Sequence, residues 1–324
     1  MNDTLQTESP FAPALAYAES GLDRVSDRRQ NADWVDEQLQ RATGRFLVTW
    51  RYRHAVHYDD APELHLVGRD AVNGLLERSH EPILLGLDGA GEPVFALDLD
   101  LEEESEAREA CEADLADLRR IGPLLPARQA AMAALARGLI YWHRHHGFCG
   151  RCGAPTRSRY GGYMRRCTNE SCNKQHFPRM DPAVIMLVDF KPDDGEPVCL
   201  LGQGPKWPAG SFSTLAGFME PGESLEETVA REVMEEAGVP VDQVRYRGSQ
   251  PWPFPSSLML GFRARALSRE LRLDPHELAD AGWFTAAELR DFGEWTDPDA
   301  ALRLPRRDSI ARFLIDEWIA EVDP

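Results

Sequence analysis

Short apolar runs separated by turn residues open the readable part of the chain: Phe46-Leu47-Val48, Ile83-Leu84-Leu85 and Val94-Phe95-Ala96-Leu97, with Asp88-Gly89-Ala90-Gly91 before the last. This pattern predicts strands and hairpins over residues 46–101. Residues 102–120 are acid-rich and read as a solvated helix face. Residues 124–145 are Ala-rich, with Met132, Leu135, Leu139 and Trp142 at helical spacing, which predicts a helix closing an N-terminal α+β domain. Further on, residues 183–188 and 197–201 read as buried strands joined by an Asp-Asp-Gly turn, and residues 307–322 as an amphipathic C-terminal helix. Between them Leu225, Val229 and Val233 recur every four residues. Ser224 with Glu227 three residues on makes a capping box, and Gly238 stands where a left-handed C-cap is expected, so the helix runs over Leu225–Ala237. No internal repeat is legible, and the first forty residues carry no pattern and are expected to be flexible.

At 324 residues the chain exceeds one ordinary core, so two or three units are expected. Hydrophobic residues at 43% and charged residues at 28% describe a water-soluble globular protein. The lack of an apolar leader or a membrane-length run points to the cytoplasm. A net charge of −18 argues against a whole-surface grip on nucleic acid. Residues 143–180 are the local exception, with eight basic side chains (Arg144, Arg151, Arg157, Arg159, Arg165, Arg166, Lys174, Arg179) against Glu170 alone. Such an island is either the solvated face of a small module or a cationic track for phosphates.

That segment has little apolar content, so something other than a core must hold it. Cys149-x2-Cys152 and Cys167-x4-Cys172 have zinc-ribbon spacing, in which two short turns each present two thiolates to one tetrahedral Zn²⁺. Four thiolates close the coordination shell, so this zinc is structural. Cys111 and Cys199 read as packing residues, and His143, His145 and His146 as surface histidines.

Glu232, Glu235 and Glu236 share one face of the Leu225–Ala237 helix through i, i+3 and i+4 spacing. Like charges so placed repel, and hard divalent cations between the carboxylates relieve the conflict, because Mg²⁺ takes oxygen ligands and binds substrate phosphates. Arg231 and Glu223 can pair to fix the preceding loop on the helix. From Gly217 to Val239 these residues match G-x5-E-x7-R-E-U-x-E-E-x-G-U, with U apolar, at every specified position, and so resemble the Nudix box. The resemblance implies a Nudix α/β/α sandwich with a mixed sheet, and Glu232, Glu235, Glu236 and the Ala216 carbonyl as ligands for more than one Mg²⁺ or Mn²⁺ ion. Glu223 and Arg231 join those glutamates in the catalytic set. The general base is a box glutamate or a carboxylate on a later loop.

Ten residues after the box comes Ser249-Gln250-Pro251-Trp252-Pro253-Phe254-Pro255-Ser256-Ser257, a loop whose alternate prolines fix φ and hold two aromatics. Taken alone it is a segment packed on its own domain, a partner-binding loop, or a stiff platform for a nicotinamide or adenine ring. With the box upstream it is similar to the S-Q-P-W-P-F-P-x-S signature of the NADH pyrophosphatase branch, which also carries a zinc ribbon and a divergent domain ahead of its Nudix domain. The likeness implies an N-terminal domain over residues 1–142, a zinc ribbon over 143–180 and a catalytic domain over 181–324. It also implies dinucleotide contacts from Gln250 to Ser257, Glu277 as a later metal ligand, and Phe177 and Ala311 near substrate. Phe177 stands where the family often has tyrosine. The implied activity is hydrolysis of NADH or NAD⁺ to NMN(H) and AMP by a homodimer. Removal of NAD caps from RNA, an ADP-ribose-type substrate and a non-catalytic ligand sensor are the competing readings.

Overall fold

The computed structural model describes residues 15–323. The chain divides into an N-terminal unit, residues 16–180 with 252–256, and a C-terminal unit, in which residue 15 joins 181–251 and 257–323. Among the described residues no helix is long and apolar enough to cross a membrane.

The N-terminal unit begins with α1 (Ala32–Gln40), then β1 (Arg45–Trp50), β2 (Arg53–Tyr58), β3 (Pro62–Leu64), β4 (Leu66–Gly68), α2 (Asn73–Leu76), β5 (Ile83–Leu87) and β6 (Pro93–Asp98). It continues through α3 (Glu104–Cys111), β7 (Asp114–Asp117), α4 (Leu118–Ile121) and α5 (Ala127–His145). The sheet order is β3-β2-β1-β6-β5, with β4 on β1 and β7 on β2. Alternation along β1 sends Phe46, Val48 and Trp50 to one core and Leu47 to the other, where Ala133, Ala136 and Ile140 of α5 cover it. A separate small sheet, β10-β9-β8, follows, from β8 (Thr156–Arg159), β9 (Met164–Cys167) and β10 (Gln175–His176).

The C-terminal unit comprises β11 (Asp181–Phe190), β12 (Val198–Gln203), β13 (Leu215–Phe218), α6 (Leu225–Ala237), β14 (Val241–Trp252), β15 (Ser257–Ala266), β16 (Asp280–Thr285), α7 (Ala286–Arg290) and α8 (Ile310–Val322). Its order is β14-β15-β11-β12-β16, with β13 on β11. Here β11 is buried on both faces. Val184, Met186 and Val188 pack with Val229 and Val233 of α6, while Ile185 and Leu187 pack with Ile310, Leu314 and Trp318 of α8. That is the three-layer sandwich with a mixed sheet, since β11 runs parallel to β15 and antiparallel to β12 and β13.

The two sheets share one plan. In each, a central strand (β1, β11) runs parallel to a later strand (β6, β15) and antiparallel to the next two of its neighbours (β2 and β4, β12 and β13). In each, a last strand (β7, β16) adds antiparallel to the outer neighbour. The sequence shows no repeat, yet the backbone pairing is duplicated, because a ladder needs only apolar alternation and tolerates divergence of the side chains.

Three expectations change. Residues 102–120 hold α3 but also β7 and α4, a strand too short and too acidic to be read from alternation. The C-terminal helix starts at Ile310 rather than 307, because Ser309 caps it by accepting from the Arg312 N–H. Of the first forty residues, 1–14 lie outside the described residues, whereas Tyr17 and Val25 are each 3% exposed in the N-terminal cores. Residues 15–40 are therefore ordered: single anchors hold the first part, and α1, capped by Asn31, packs Trp34, Val35 and Leu39 against the core.

Candidate active site and metal centres

The box helix forms as its caps dictate. The Ser224 side chain accepts from the Glu227 N–H, Glu227 accepts from the Ser224 N–H, and Gly238 closes the helix at φ 70°, donating to the Met234 carbonyl. Val229 and Val233 are fully buried, which fixes the rotation of the helix and turns Glu232 and Glu236 toward β13. Gly217 of β13 is required there: a Cβ on it would stand 1.8 Å from the Glu232 carboxyl carbon.

Arg231 ties the loop to the helix. Its Nε donates to Glu223 Oε1 at 2.6 Å, Nη2 to Glu223 Oε2 at 2.9 Å and to the Phe218 carbonyl at 3.0 Å, and Nη1 to Glu232 and Glu235 at 2.9 Å each. The guanidinium, the Glu220 N–H and the Thr228 hydroxyl hold the Glu223 carboxyl down at about 2. Glu223 is thus an anion that braces the loop, with its oxygens already occupied.

Glu236 is the opposite case. It is 6% exposed, its Oε1 has no hydrogen-bond partner, and burial, followed by the charges of Glu232 and Glu277, pushes its carboxyl up to about 8. Burial likewise raises Glu232. An unpaired buried carboxyl is costly unless a proton or cation neutralises it. Glu277 reaches the same place from the turn after β15: Asp274 N–H donates to the Glu236 carbonyl at 3.0 Å, and Glu277 N–H to the Asp274 carbonyl at 3.1 Å. Ala216, Glu236 and Glu277 line one cleft of about 350 Å³ together with Gly204, Lys206, Trp207, Thr214 and His276. An orphaned buried carboxylate oxygen, further carboxylates and a strand carbonyl form an all-oxygen donor set, which fits a hard divalent cation. The carboxylates are not drawn tightly together, since Arg231 holds Glu232 and Glu235 along the helix.

The second metal centre belongs to the N-terminal unit. Sγ atoms of Cys149, Cys152, Cys167 and Cys172 lie within 4.8 Å of one another, with Cys149 to Cys172 at 3.8 Å and Cys152 to Cys167 at 3.4 Å. A tetrahedron with arms of ~2.3 Å has edges of about 3.8 Å, so one Zn²⁺ fits. Among the described residues this is the one group of at least three His, Cys, Asp or Glu gathered so closely. The Arg151 N–H, aided by His176, holds the Cys149 thiol well below its ordinary value. His143 is not a surface histidine. Its Nε2 meets the Gly162 carbonyl at 2.7 Å and its Nδ1 meets Arg165 at 2.7 Å, a pair that requires the neutral ring with the proton on Nε2. Its pKa is lowered to about 4, chiefly by burial. Cys111 and Cys199 are buried, as packing residues should be.

The proline-aromatic loop is arranged otherwise than its sequence suggests. Gln250 is fully buried, and its amide donates to the Asp308 carbonyl and accepts from the Ile310 N–H, so it ties β14 to the start of α8. Trp252 to Ser256 belong to the N-terminal unit. There Phe254 is 9% exposed, edge-on to Tyr17 and Trp252, with the guanidiniums of Arg119 and Arg137 over its ring at 4.9 and 5.3 Å. Arg137 also donates to the Pro253 and Tyr52 carbonyls. The Phe254 ring is therefore an anchor with no free face, and Pro253 is buried beside it. Trp252, Pro251, Ser256 and Ser257 remain partly exposed, and Pro255 exposed. Phe177 is 51% exposed, whereas Ala311 is 3% exposed within the α8 core, so its methyl group is closed to a ligand. Sequence reasoning missed Arg137, whose role depends on a contact far along the chain. It also missed Lys206 and Trp207, although Pro205-Lys206-Trp207-Pro208 repeats the proline-aromatic signal of the later loop.

Family models match three stretches in order: an NADH pyrophosphatase-like rudimentary NUDIX domain over residues 43–142, an NADH pyrophosphatase zinc ribbon domain over 144–177, and a NUDIX domain over 180–305. An NAD-capped RNA hydrolase of Macaca fascicularis is 35% identical over 98% of this chain and 75% of its own. One from Pongo abelii is 41% identical over the same shares. A third, from Stutzerimonas stutzeri, is 38% identical over 71% of this chain and 75% of its own. The rudimentary domain carries the duplicated sheet, the ribbon the four cysteines, and the third domain the complete glutamate box, so the chain belongs to the NADH pyrophosphatase branch of the Nudix hydrolases.

Proposed function

We propose that the protein hydrolyses the pyrophosphate of NADH or NAD⁺ to NMN(H) and AMP with Mg²⁺ or Mn²⁺ held by Glu232, Glu235, Glu236, Glu277 and the Ala216 carbonyl. The observation that carries the reading is Glu236: a buried carboxyl with an unpaired oxygen, facing a cleft shared with Ala216 and Glu277. When bound, the cations neutralise the diphosphate and lower the pKa of a water. The chain's own part is positional. Glu223 and Arg231 lock the loop between β13 and α6, so that the Ala216 carbonyl and the glutamates keep one spacing. The rigid capped helix keeps Glu232 and Glu236 in place against the β13 backbone. Ser257, partly exposed at the start of β15 in the same unit, is a side chain of the loop still open to a dinucleotide. Homodimeric assembly and a cytoplasmic location complete the proposal.

A second reading has its own support. The similar proteins bear the name NAD-capped RNA hydrolase, and Arg151, Arg157, Arg159, Arg166, Lys174 and Arg179 are all exposed. An RNA body needs such cations, and its binding should weaken steeply with salt. The test is the product spectrum with NADH, NAD⁺, ADP-ribose and a short NAD-capped RNA in the presence of Mg²⁺. NMN(H) with AMP supports the dinucleotide reading. Preferential cleavage of the capped RNA, lost on raising salt, makes cap removal the main role, and no cleavage of any of the four rejects both.

A further inference from the structure

One wall of the cleft beside Glu236 and Glu277 is left without a role by the chemistry above. It is the turn Gly204-Pro205-Lys206-Trp207 after β12, with Thr214 ahead of β13. Lys206 is exposed and has no hydrogen bond or ion pair with any described residue. Trp207 is 40% exposed and braced edge-on against Trp295, ring centroids 5.4 Å apart at 78°. The Trp207 backbone N–H donates to the Gly204 carbonyl at 3.1 Å, and a side chain on Gly204 would crowd the indole at 3.0 Å, so the turn closes against the ring. Thr214 is 5% exposed and lines the same cleft, and its hydroxyl is buried without a partner. A buried hydroxyl without a partner is costly, and a ligand oxygen drawn against this wall would relieve that cost.

We propose that this wall is a subsite for a nucleoside monophosphate, one half of the dinucleotide being cut. Lys206 and the Thr214 hydroxyl take its phosphate, and Trp207 takes its ring. Lys206 is the one lysine or arginine lining a cleft that otherwise presents the carboxylates Glu236 and Glu277, so it offsets their repulsion of a phosphate. The flat exposed indole suits any nucleobase or nicotinamide. The inference rests on reading the glutamates as a pyrophosphatase centre, and it adds the residues that hold one product.

The test compares Lys206→Gln, Trp207→Ala, Trp207→Phe and Thr214→Val with Lys191→Gln, an exposed lysine outside the cleft. AMP and NMN are titrated calorimetrically with Mg²⁺, and NADH turnover is followed separately, with thermal melts confirming folding. The expected result is a roughly tenfold loss of affinity for AMP or for NMN in Lys206→Gln, as for loss of a charge-assisted phosphate contact. Trp207→Ala should weaken the same mononucleotide, Trp207→Phe should restore most of the affinity, and the one affected identifies the half. KM for NADH should rise more than kcat falls. Unchanged affinities and KM in folded Lys206→Gln and Trp207→Ala overturn the subsite, as does failure of the wild type to bind either mononucleotide. If the wild type does not cleave NADH, the pyrophosphatase reading fails while the titrations still decide the subsite.

Discussion

The two sheets of this protein follow one pairing plan and differ where the chemistry lies. Between β13 and β14 the C-terminal unit inserts α6, thirteen residues with a capping box, a C-cap glycine and three ligand-type glutamates. At the matching place, between β4 and β5, the N-terminal unit has α2, four residues of sequence Asn-Gly-Leu-Leu with no side-chain cap and no acid. Both central strands carry an unbroken buried run, so burial and pairing do not distinguish a catalytic sheet from a scaffold. The comparison teaches that the pairing plan forms without the glutamate helix, so what sets the two sheets apart is that one helix and the loop braced onto it.

The N-terminal unit took on other structural duties. It carries the zinc ribbon, and it anchors Trp252 to Ser256 through Tyr17, Arg119 and Arg137. The largest expected effect therefore falls on it. Cys167→Ser, or a strong chelator, should release one Zn²⁺ per chain and unfold residues 149–176, because structural zinc contributes ~10 kcal/mol or more to such ribbons. Metal analysis and amide exchange would show it, and exchange in α6 should stay unchanged.

Next comes the brace that α2 lacks. Arg231→Gln should reduce turnover roughly a hundredfold by letting the loop shift against the glutamates, while leaving the melting of the sheet nearly unchanged. Full activity in that variant would make the brace irrelevant to the difference between the sheets.

Acid separates the units more gently. His54 in β2 is fully buried with neither ring nitrogen bonded, and burial lowers its pKa to about 3. The unfolded chain then binds the proton more readily than the folded one, so stability is complete above the ordinary value near 6.5 and falls as pH drops toward 3. By pH 5 the loss is about 2 kcal/mol. His143 adds to it in the same direction. Denaturant melts at pH 7 and 5 should show this loss, and His54→Leu should remove most of it. Smallest is the cap: Ser224→Ala should cost ~1 kcal/mol and fray the first turn of α6, visible in exchange of the Glu227 amide.

How much of this was legible depended on how local each signal is. The bounds of α6 follow from Ser224, Glu227 and Gly238, whose effects reach no further than four residues, and the structure places the helix on those bounds. The four zinc-type cysteines were readable because their spacing alone sets the geometry. Long-range partners were not. The prolines around Phe254 announce a stiff loop, but whether its ring faces a ligand or the core depends on Tyr17 and Arg137, more than a hundred residues away. The duplicated sheet was hidden for the same reason: strand pairing is a backbone property, and the two copies share pattern rather than residues.

The central claim is that Glu236 separates an active sheet from an inactive one. The direct measurement is NADH turnover with Mg²⁺ by wild type and Glu236→Gln, each checked for folding by thermal melt. The account predicts NMN(H) and AMP from the wild type, a loss of at least roughly a hundredfold in the variant, and a metal-free melting temperature that does not fall, because glutamine is a neutral isostere of the buried carboxyl. A folded Glu236→Gln that turns NADH over at the wild-type rate would contradict it.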